Sequence, residues 1–386
     1  MVKRVCIIRQ NVYPQDLLVR REAETLRDAG FQVDVICLRL PTDQAQEVLD
    51  GVRVHRLFVP QKKGHLVLYV YKYMLFFLLA AFKLTMLHLR QPFSVIQVNT
   101  MPDFLVFATL VPRLLGAKVT LVMYEPMPEL WETLYQRRWA ARLMAIIQQA
   151  AIRYAHAVFA VTAQQKDTFV ARGANADKIT VILNAPETRF WEQYTPSDLV
   201  PDHHFTLVCH GAIEERYGHD TMLQAIQIVK DEAPDIRLRI MGMGSYRDRF
   251  LALIDEMGLD TWVQYLGWVS LPQLVDELAH ADVGIVAQKS SSYSNLVHTG
   301  KMYDFMAFGK PVLASRLKSV QAYFGQDALR FFAPGDASSL SEAILDLYHH
   351  PEKRHSLVRV SQKLYRQYQW PNQKQAYLSV YQKLVD

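Results

Sequence analysis

Two hydrophobic periodicities alternate along the chain: short apolar runs rich in Val and Ile, and longer stretches whose apolar residues recur every three to four positions. In the first half the strand-like runs are Val2–Ile8, Gln32–Leu38, Val52–Phe58, Val95–Val98, Val119–Met123, Ala157–Val161 and Ile179–Leu183. Between several of them lie helical patterns at Asp16–Ala29, Leu66–Leu89, Phe104–Leu115, Arg137–Tyr154 and Ala163–Arg172. Strands alternating with helices predict a parallel sheet covered on both faces. A polar stretch with three prolines, residues 186–204, then reads as an interdomain linker.

Beyond it the alternation restarts. Strands are expected at Phe205–Cys209, Ile236–Met241, Trp262–Tyr265, Val283–Ala287, Val312–Ser315 and Leu329–Phe332. Helices are expected at His219–Lys230, Tyr246–Met257, Pro272–Ala279, Lys301–Phe308 and Ala337–His349, with two more, 351–368 and 372–384, closing the chain. The pattern is that of an α/β protein with two tandem doubly wound domains. Such sheets bind ligands at the carboxyl ends of their strands, so two of them facing each other place the expected site in a central cleft.

One segment carries more apolar residues than a flanking helix needs, "HLVLYVYKYMLFFLLAAFKLTMLHLR" at 65–90. Lys72 and Lys83 interrupt it, and its longest uncharged stretch, Met74–Phe82, is too short to span a bilayer. Two readings stand side by side. One is a buried core helix. The other is a helix partly embedded in a membrane interface, with Tyr and Phe at headgroup depth and Lys62, Lys63, Lys72, Lys83 and Arg90 near anionic lipid.

Composition narrows the class. With 386 residues, 50% of them hydrophobic, the chain has material for two cores. The net charge of +5 is mild, and no nucleic-acid motif accompanies it, so a dedicated nucleic-acid binder is not expected. Cys6, Cys37 and Cys209 are far apart and each sits in a strand-like run, which reads as buried thiols in a reducing cytoplasm and gives no metal-ligand spacing. "MVKRVCIIRQ" lacks the apolar core of a secretion signal.

Three strand–turn–helix units in the second half carry candidate chemistry. In "FTLVCHGAIEERYGHDTMLQAI", Gly211 permits close backbone approach, Gly218 precedes a helix whose amides favour an anion, and Arg216 offers a planar fork suited to a diphosphate. "LRIMGMGSY" repeats the arrangement with Gly242, Met243 and Gly244, which a tight turn alone would also require. In "QYLGWVS" the backbone of Trp268 and Val269 can read a base edge and the Trp268 ring can stack on a base, or the ring is core packing. In "KMYDFMAFGKPVLA", Met302, Phe305 and Met306 have the spacing of a buried face, which leaves Lys301 and Asp304 off it. They are either a solvated ion pair or a grip on a charged, hydroxylated ligand. Gly309 and Pro311 end the helix before the strand Val312–Ser315.

These segments, with "ADVGIV", resemble in order and spacing the nucleotide-sugar-binding domain of family 4 glycosyltransferases, which have the GT-B fold of two Rossmann-like domains. The first half, with "VNTMPDFLVFATLVPRLLGAKV" and "PMPELWE", resembles a branch that works on bacterial surface polysaccharides. The resemblance implies an acceptor-binding domain over 1–190, a nucleotide-sugar domain over 200–370, and a crossover helix at 371–386 returning to the first domain. It implies that Asp304 holds the ribose of the nucleotide and that Lys301 helps neutralise the diphosphate. It also implies retention of anomeric configuration with no metal or other cofactor. Leu296 stands where the family often has a glutamate, and Tyr124-Glu125 where this branch has His-Asp.

The implied function is transfer of a sugar from a nucleoside-diphosphate sugar to an acceptor hydroxyl, with Arg216, Lys301 and Asp304 as the catalytic candidates. Asp103, Tyr124, Glu125 and Glu129 are the acceptor candidates. Asp103, Glu125 and Glu129 are read as ending strand-like runs, with helix capping as the alternative role. The apolar 65–90 segment suggests a glycan or polyprenyl-linked acceptor and an enzyme peripheral to the cytoplasmic face of the membrane. A nucleotide-sugar epimerase of the same fold and a non-catalytic nucleotide-binding partner in polysaccharide assembly are the alternatives.

Overall fold

The apolar runs become the strands of two separate sheets in the computed structural model, which describes residues 3–60, 66–185, 193–197 and 204–386. The chain divides into two compact units, Met1–Asn184 with Gln373–Asp386, and Ala185–Asn372. The expected linker over 186–204 falls largely outside the described residues, as do Val2, Lys62, Lys63 and His65.

In the first unit the strands are β1 (Arg4–Val12), β2 (Gln32–Leu38), β3 (Gln46–Leu49), β4 (Val52–Leu57), β5 (Val95–Asn99), β6 (Lys118–Met123), β7 (Ala157–Ala160) and β8 (Ile179–Val181). Their order is β3-β4-β2-β1-β5-β6-β7-β8, and only the β3–β4 pair is antiparallel. The unforeseen strand is β3. It is a polar edge strand joined to β4 through Asp50 and Gly51, both at positive φ (47° and 78°), a two-residue turn suited to that Asp-Gly pair. The order reverses direction between β1 and β5, so the loops after these strands sit at the switch point where such sheets bind ligands.

A second departure concerns residues 127–135. "PMPELWETLY" forms a helix, Met127–Tyr135, because Pro128 falls in the first turn, where its missing N–H has no partner to lose. Glu129 is therefore a first-turn helix residue rather than the end of a strand. Asp103 likewise opens a 3₁₀ helix, Asp103–Thr109, and caps nothing.

The segment expected to lie in a core or at a membrane packs one face on the core and leaves the other exposed. It forms a single helix, Leu66–Arg90, whose length and hydropathy over Leu68–Arg90 suffice to cross a membrane, although Met74–Phe82 alone would not. Lys72 does not break it, because its stem is buried and its ammonium lies 5.1 Å from the Tyr69 ring centre. Lys72, Phe76, Ala80, Leu84 and His88, four apart, form the buried face and pack on the sheet core. Val70, Met74, Leu78, Phe82 and Met86, half a turn away, are exposed, Phe82 at 69% and Leu78 at 59%. A helix with one face locked into a soluble-type core cannot be ringed by lipid, so only its outer face is available to a bilayer.

The helix Trp370–Val385 belongs to the first unit from Gln373 onward. Tyr377 stacks at 5.2 Å on Phe159, and the hydroxyls of Tyr377 and Tyr381 both donate to Gln97 Oε1.

The second unit has β9 (Phe205–His210), β10 (Ile236–Met241), β11 (Val263–Gly267), β12 (Val283–Val286), β13 (Val312–Ser315) and β14 (Arg330–Phe332), all parallel in the order β11-β10-β9-β12-β13-β14. The direction of winding reverses between β9 and β12. Next to that point the helix Lys301–Ala307 lies close on the sheet. Gly284 in β12 makes this possible, since a Cβ there would sit 2.2 Å from the Phe305 ring. Met302, Tyr303, Phe305 and Met306 are fully buried. Gly309 at φ +65° closes the helix, and the Lys310 N–H returns to the Phe305 carbonyl at 2.9 Å.

Candidate functional site

Strand β9 delivers Cys209 and His210 to its carboxyl end and then turns sharply at Gly211, at φ +101°. A Cβ on Gly211 would come within 2.4 Å of the Lys301 Cε, so this glycine makes room for the lysine stem. A single 3₁₀ turn, Glu215–Tyr217, leads to Gly218, which starts the helix His219–Val229. No side chain caps that helix, and its first amides carry the positive end of the helix dipole. Gly218 is obligatory in another way: its φ is +68°, and a Cβ would fall 2.0 Å from the Ala287 carbonyl oxygen.

Around this turn the structure assembles two cations and a carboxyl. Lys301 Nζ lies 4.4 Å and the Arg216 guanidinium 4.8 Å from the centre of the Tyr217 ring. Arg216 stands 3.8 Å from Glu214. Burial pushes the Lys301 ammonium below its usual proton affinity, with Cys209 and Asp304 drawing it back up. Asp304, one helical turn on, has its Oδ2 3.5 Å from His210 Nε2, too misaligned for a hydrogen bond. Burial lifts the Asp304 carboxyl from 3.8 to about 7, against the pull of Lys301. Burial, helped by Lys301, drops His210 to about 3, so the imidazole is neutral. Its Nε2 is buried with no hydrogen-bond partner among the described residues. A neutral imidazole, a carboxyl and an ammonium with spare hydrogen-bonding capacity together suit a ligand that carries hydroxyls beside an anion. The sequence reading missed His210, although its position as the last strand residue before Gly211 was available.

The glycines of "MGMG" interlock with the same turn. Gly242 is at φ +137°, and a Cβ would lie 1.7 Å from the Gly211 carbonyl oxygen; one on Gly244 would lie 2.0 Å from that of Ile213. The Ile213 N–H in turn donates to the Met243 carbonyl at 3.0 Å. The small residues here fix one loop against the other. Trp268 is 75% exposed, so its ring is not core packing, while Val269 is partly buried against the second unit's core cluster that includes Met302 and Phe305. Leu296 lies in the turn before that helix, its N–H bonded to the Tyr293 carbonyl at 3.0 Å.

The acceptor candidates of the first unit fall into two groups. Asp103 and Glu129 are buried near one another, and burial together with the Glu129 charge raises Asp103 to about 7 while Gln148 lowers it. Glu129 is paired with Arg172. Tyr124 belongs elsewhere: its hydroxyl donates to Glu22 Oε1 at 3.0 Å and accepts from Asn99 at 2.7 Å, inside a buried network. Its ring lies under Arg9 at 4.9 Å. Glu125 is half-buried just before Pro126. Among the described residues no group of three or more His, Cys, Asp or Glu is placed to hold a metal ion.

With this geometry in hand, the comparisons agree on the class. Residues 18–185 match the glycosyl transferase 4-like domain, and residues 204–350 match glycosyl transferases group 1. The sucrose-phosphate synthase of Thermosynechococcus elongatus superposes with a TM-score of 0.80 at 18% identity, covering 99% of each chain. Anabaena HepE, solved with UDP and glucose, superposes at 0.73 and 16% identity over 99% of this chain and 100% of its own. The lipopolysaccharide outer core galactosyltransferase WaaB superposes at 0.64 and 13% identity, over 98% and 99%. No curated protein matches the chain by sequence. The chain carries the two domains of a GT-B glycosyltransferase.

Proposed function

We propose that the protein is a retaining, family 4-type glycosyltransferase that binds a nucleoside-diphosphate sugar on its second unit and an acceptor alcohol on its first. The observation that carries this reading is the pairing of Lys301 with Asp304 beside the bare turn Gly211–Gly218 at the sheet's switch point. In this scheme Asp304 accepts hydrogen bonds from the ribose diol, with His210 as a second partner. Arg216, Lys301 and the amides at His219 meet the diphosphate. As the glycosidic bond stretches, these fixed positive groups stabilise the charge gathering on the leaving diphosphate, whose oxygen takes the acceptor proton. HepE, of the same fold, is solved with UDP and with UDP-glucose, which supports a nucleotide donor.

The acceptor reading rests on Asp103 and Glu129, and the membrane reading on the exposed apolar face of the Leu66–Arg90 helix. We place the protein at the cytoplasmic face of a membrane in polysaccharide biosynthesis, peripheral to the bilayer. Thermal-shift titration with UDP, GDP, ADP and CMP tests the donor assignment. One nucleotide raises the melting temperature of the native protein and not that of Asp304→Ala. Silence across the panel, or an equal response in the variant, overturns it.

A further inference from the structure

The first unit contains a cavity of about 380 Å³, within the range of roughly 300–1,000 Å³ typical of small-molecule sites. Its wall is built by four elements: the helices Leu66–Arg90, Met127–Tyr135 and Arg138–Tyr154, and the 3₁₀ helix Asp103–Thr109. Val70, Tyr73, Trp131, Leu134 and Ile147 make it apolar. Among the described residues no lysine or arginine lines it. Asp103 is the one carboxyl among its described lining residues; it is 3% exposed, and neither of its oxygens has a hydrogen-bond partner of sound geometry among the described residues.

The occupant follows from three features. An apolar wall of this size selects hydrocarbon. The Asp103 carboxyl, whose two oxygens are unpartnered and which has no lysine or arginine beside it among the described wall residues, disfavours an anionic head and favours a hydroxyl that can donate to it. Val70 and Met74 line the cavity and also begin the exposed apolar stripe that continues through Leu78 and Phe82. A hydrocarbon chain can therefore pass from a bilayer along one continuous helix face into the cavity. We propose that this cavity binds the hydrocarbon part of a membrane-derived amphiphilic alcohol, oriented by a hydrogen bond from its hydroxyl to Asp103. That this amphiphile is the glycosyl acceptor rests on the transfer reading above; its binding does not.

Equilibrium dialysis of the full-length protein with radiolabelled 1-decanol and decanoate tests the site. Native protein binds decanol saturably and decanoate at least tenfold more weakly. Ile147→Trp, which fills the cavity, weakens decanol at least tenfold, and Met144→Trp does the same from the other side should Ile147→Trp fail to fold. Asp103→Leu narrows the preference for the alcohol over the acid. Decanol bound equally by the native and filled proteins, no saturable decanol binding, or equal binding of the acid would overturn the proposal. Nucleotide titration of the same native preparation separates the two readings. Nucleotide binding without decanol binding removes the cavity site and spares the transferase, and the reverse removes the donor assignment and spares the cavity.

Discussion

Asp304→Asn isolates the cost of keeping a carboxyl ready in a dry site. The substitution keeps shape and volume and removes only the ionisation. In the folded protein burial raises the carboxyl from 3.8 to about 7. At about 1.4 kcal/mol per pH unit, that difference corresponds to roughly 4 kcal/mol of destabilisation once the group is ionised. The sign follows from proton linkage. The native state holds this proton more tightly than the unfolded chain, so between about pH 4 and pH 7 unfolding releases it and stability falls as pH rises. Above pH 7 the whole penalty is present. Near pH 4 it is absent. Other groups, Asp103 among them, titrate in the same range, but they are common to both proteins and cancel in the difference. Urea denaturation of native and Asp304→Asn protein at several pH values between 4.5 and 8 therefore gives a difference that grows with pH, toward about 4 kcal/mol in favour of the variant. The same variant binds nucleotide more weakly, by the loss of about 1.5–3 kcal/mol for a charged hydrogen bond, or roughly 10- to 150-fold. A stability difference that stays flat across this range refutes the argument that Asp304 is held desolvated, and undiminished nucleotide affinity refutes its role.

Further outcomes follow from the same geometry. Lys301→Met weakens nucleoside-diphosphate binding by about tenfold or more and flattens its salt dependence, measured by calorimetry at two ionic strengths. Gly242→Ala drives a Cβ into the Gly211 carbonyl at a φ of +137°, so it costs about 3 kcal/mol in denaturant melts and abolishes the nucleotide response. Arg172→Ala strands the buried Glu129 carboxylate and destabilises the first unit by about 3 kcal/mol, whereas adding Glu129→Gln recovers most of that loss. Leu78→Asp with Phe82→Asp abolishes flotation with anionic vesicles while the circular dichroism spectrum is unchanged, because both side chains are exposed.

The strands that are buried on both faces were legible as apolar runs, and β2, β10 and β13 have the predicted limits. Strand β3 was not legible, because an edge strand with polar residues gains its order from pairing with β4 rather than from burial. The helix Met127–Tyr135 is short and carries Pro126 and Pro128 at its start, one just before the helix and the other in its first turn, where its missing N–H costs nothing. Lys301 and Asp304 could be found because the buried spacing of Met302, Phe305 and Met306 leaves them off the packed face. His210 could not be found that way. It comes from a different strand, and its approach to Asp304 depends on Gly284 admitting Phe305 so closely that the helix settles against β9 and β12. The 65–90 segment offered two readings because its apolar residues fill both faces. Four-residue spacing separates them only once the buried face is known.

Hydrogen exchange of the full-length protein with and without the nucleotide that stabilises it tests the donor site most directly. The account predicts added protection at the turn His210–His219 and at the start of the Lys301–Ala307 helix. It also predicts that Lys301→Met reduces that protection. Protection confined to the first unit, or none at either segment under saturating nucleotide, would contradict it.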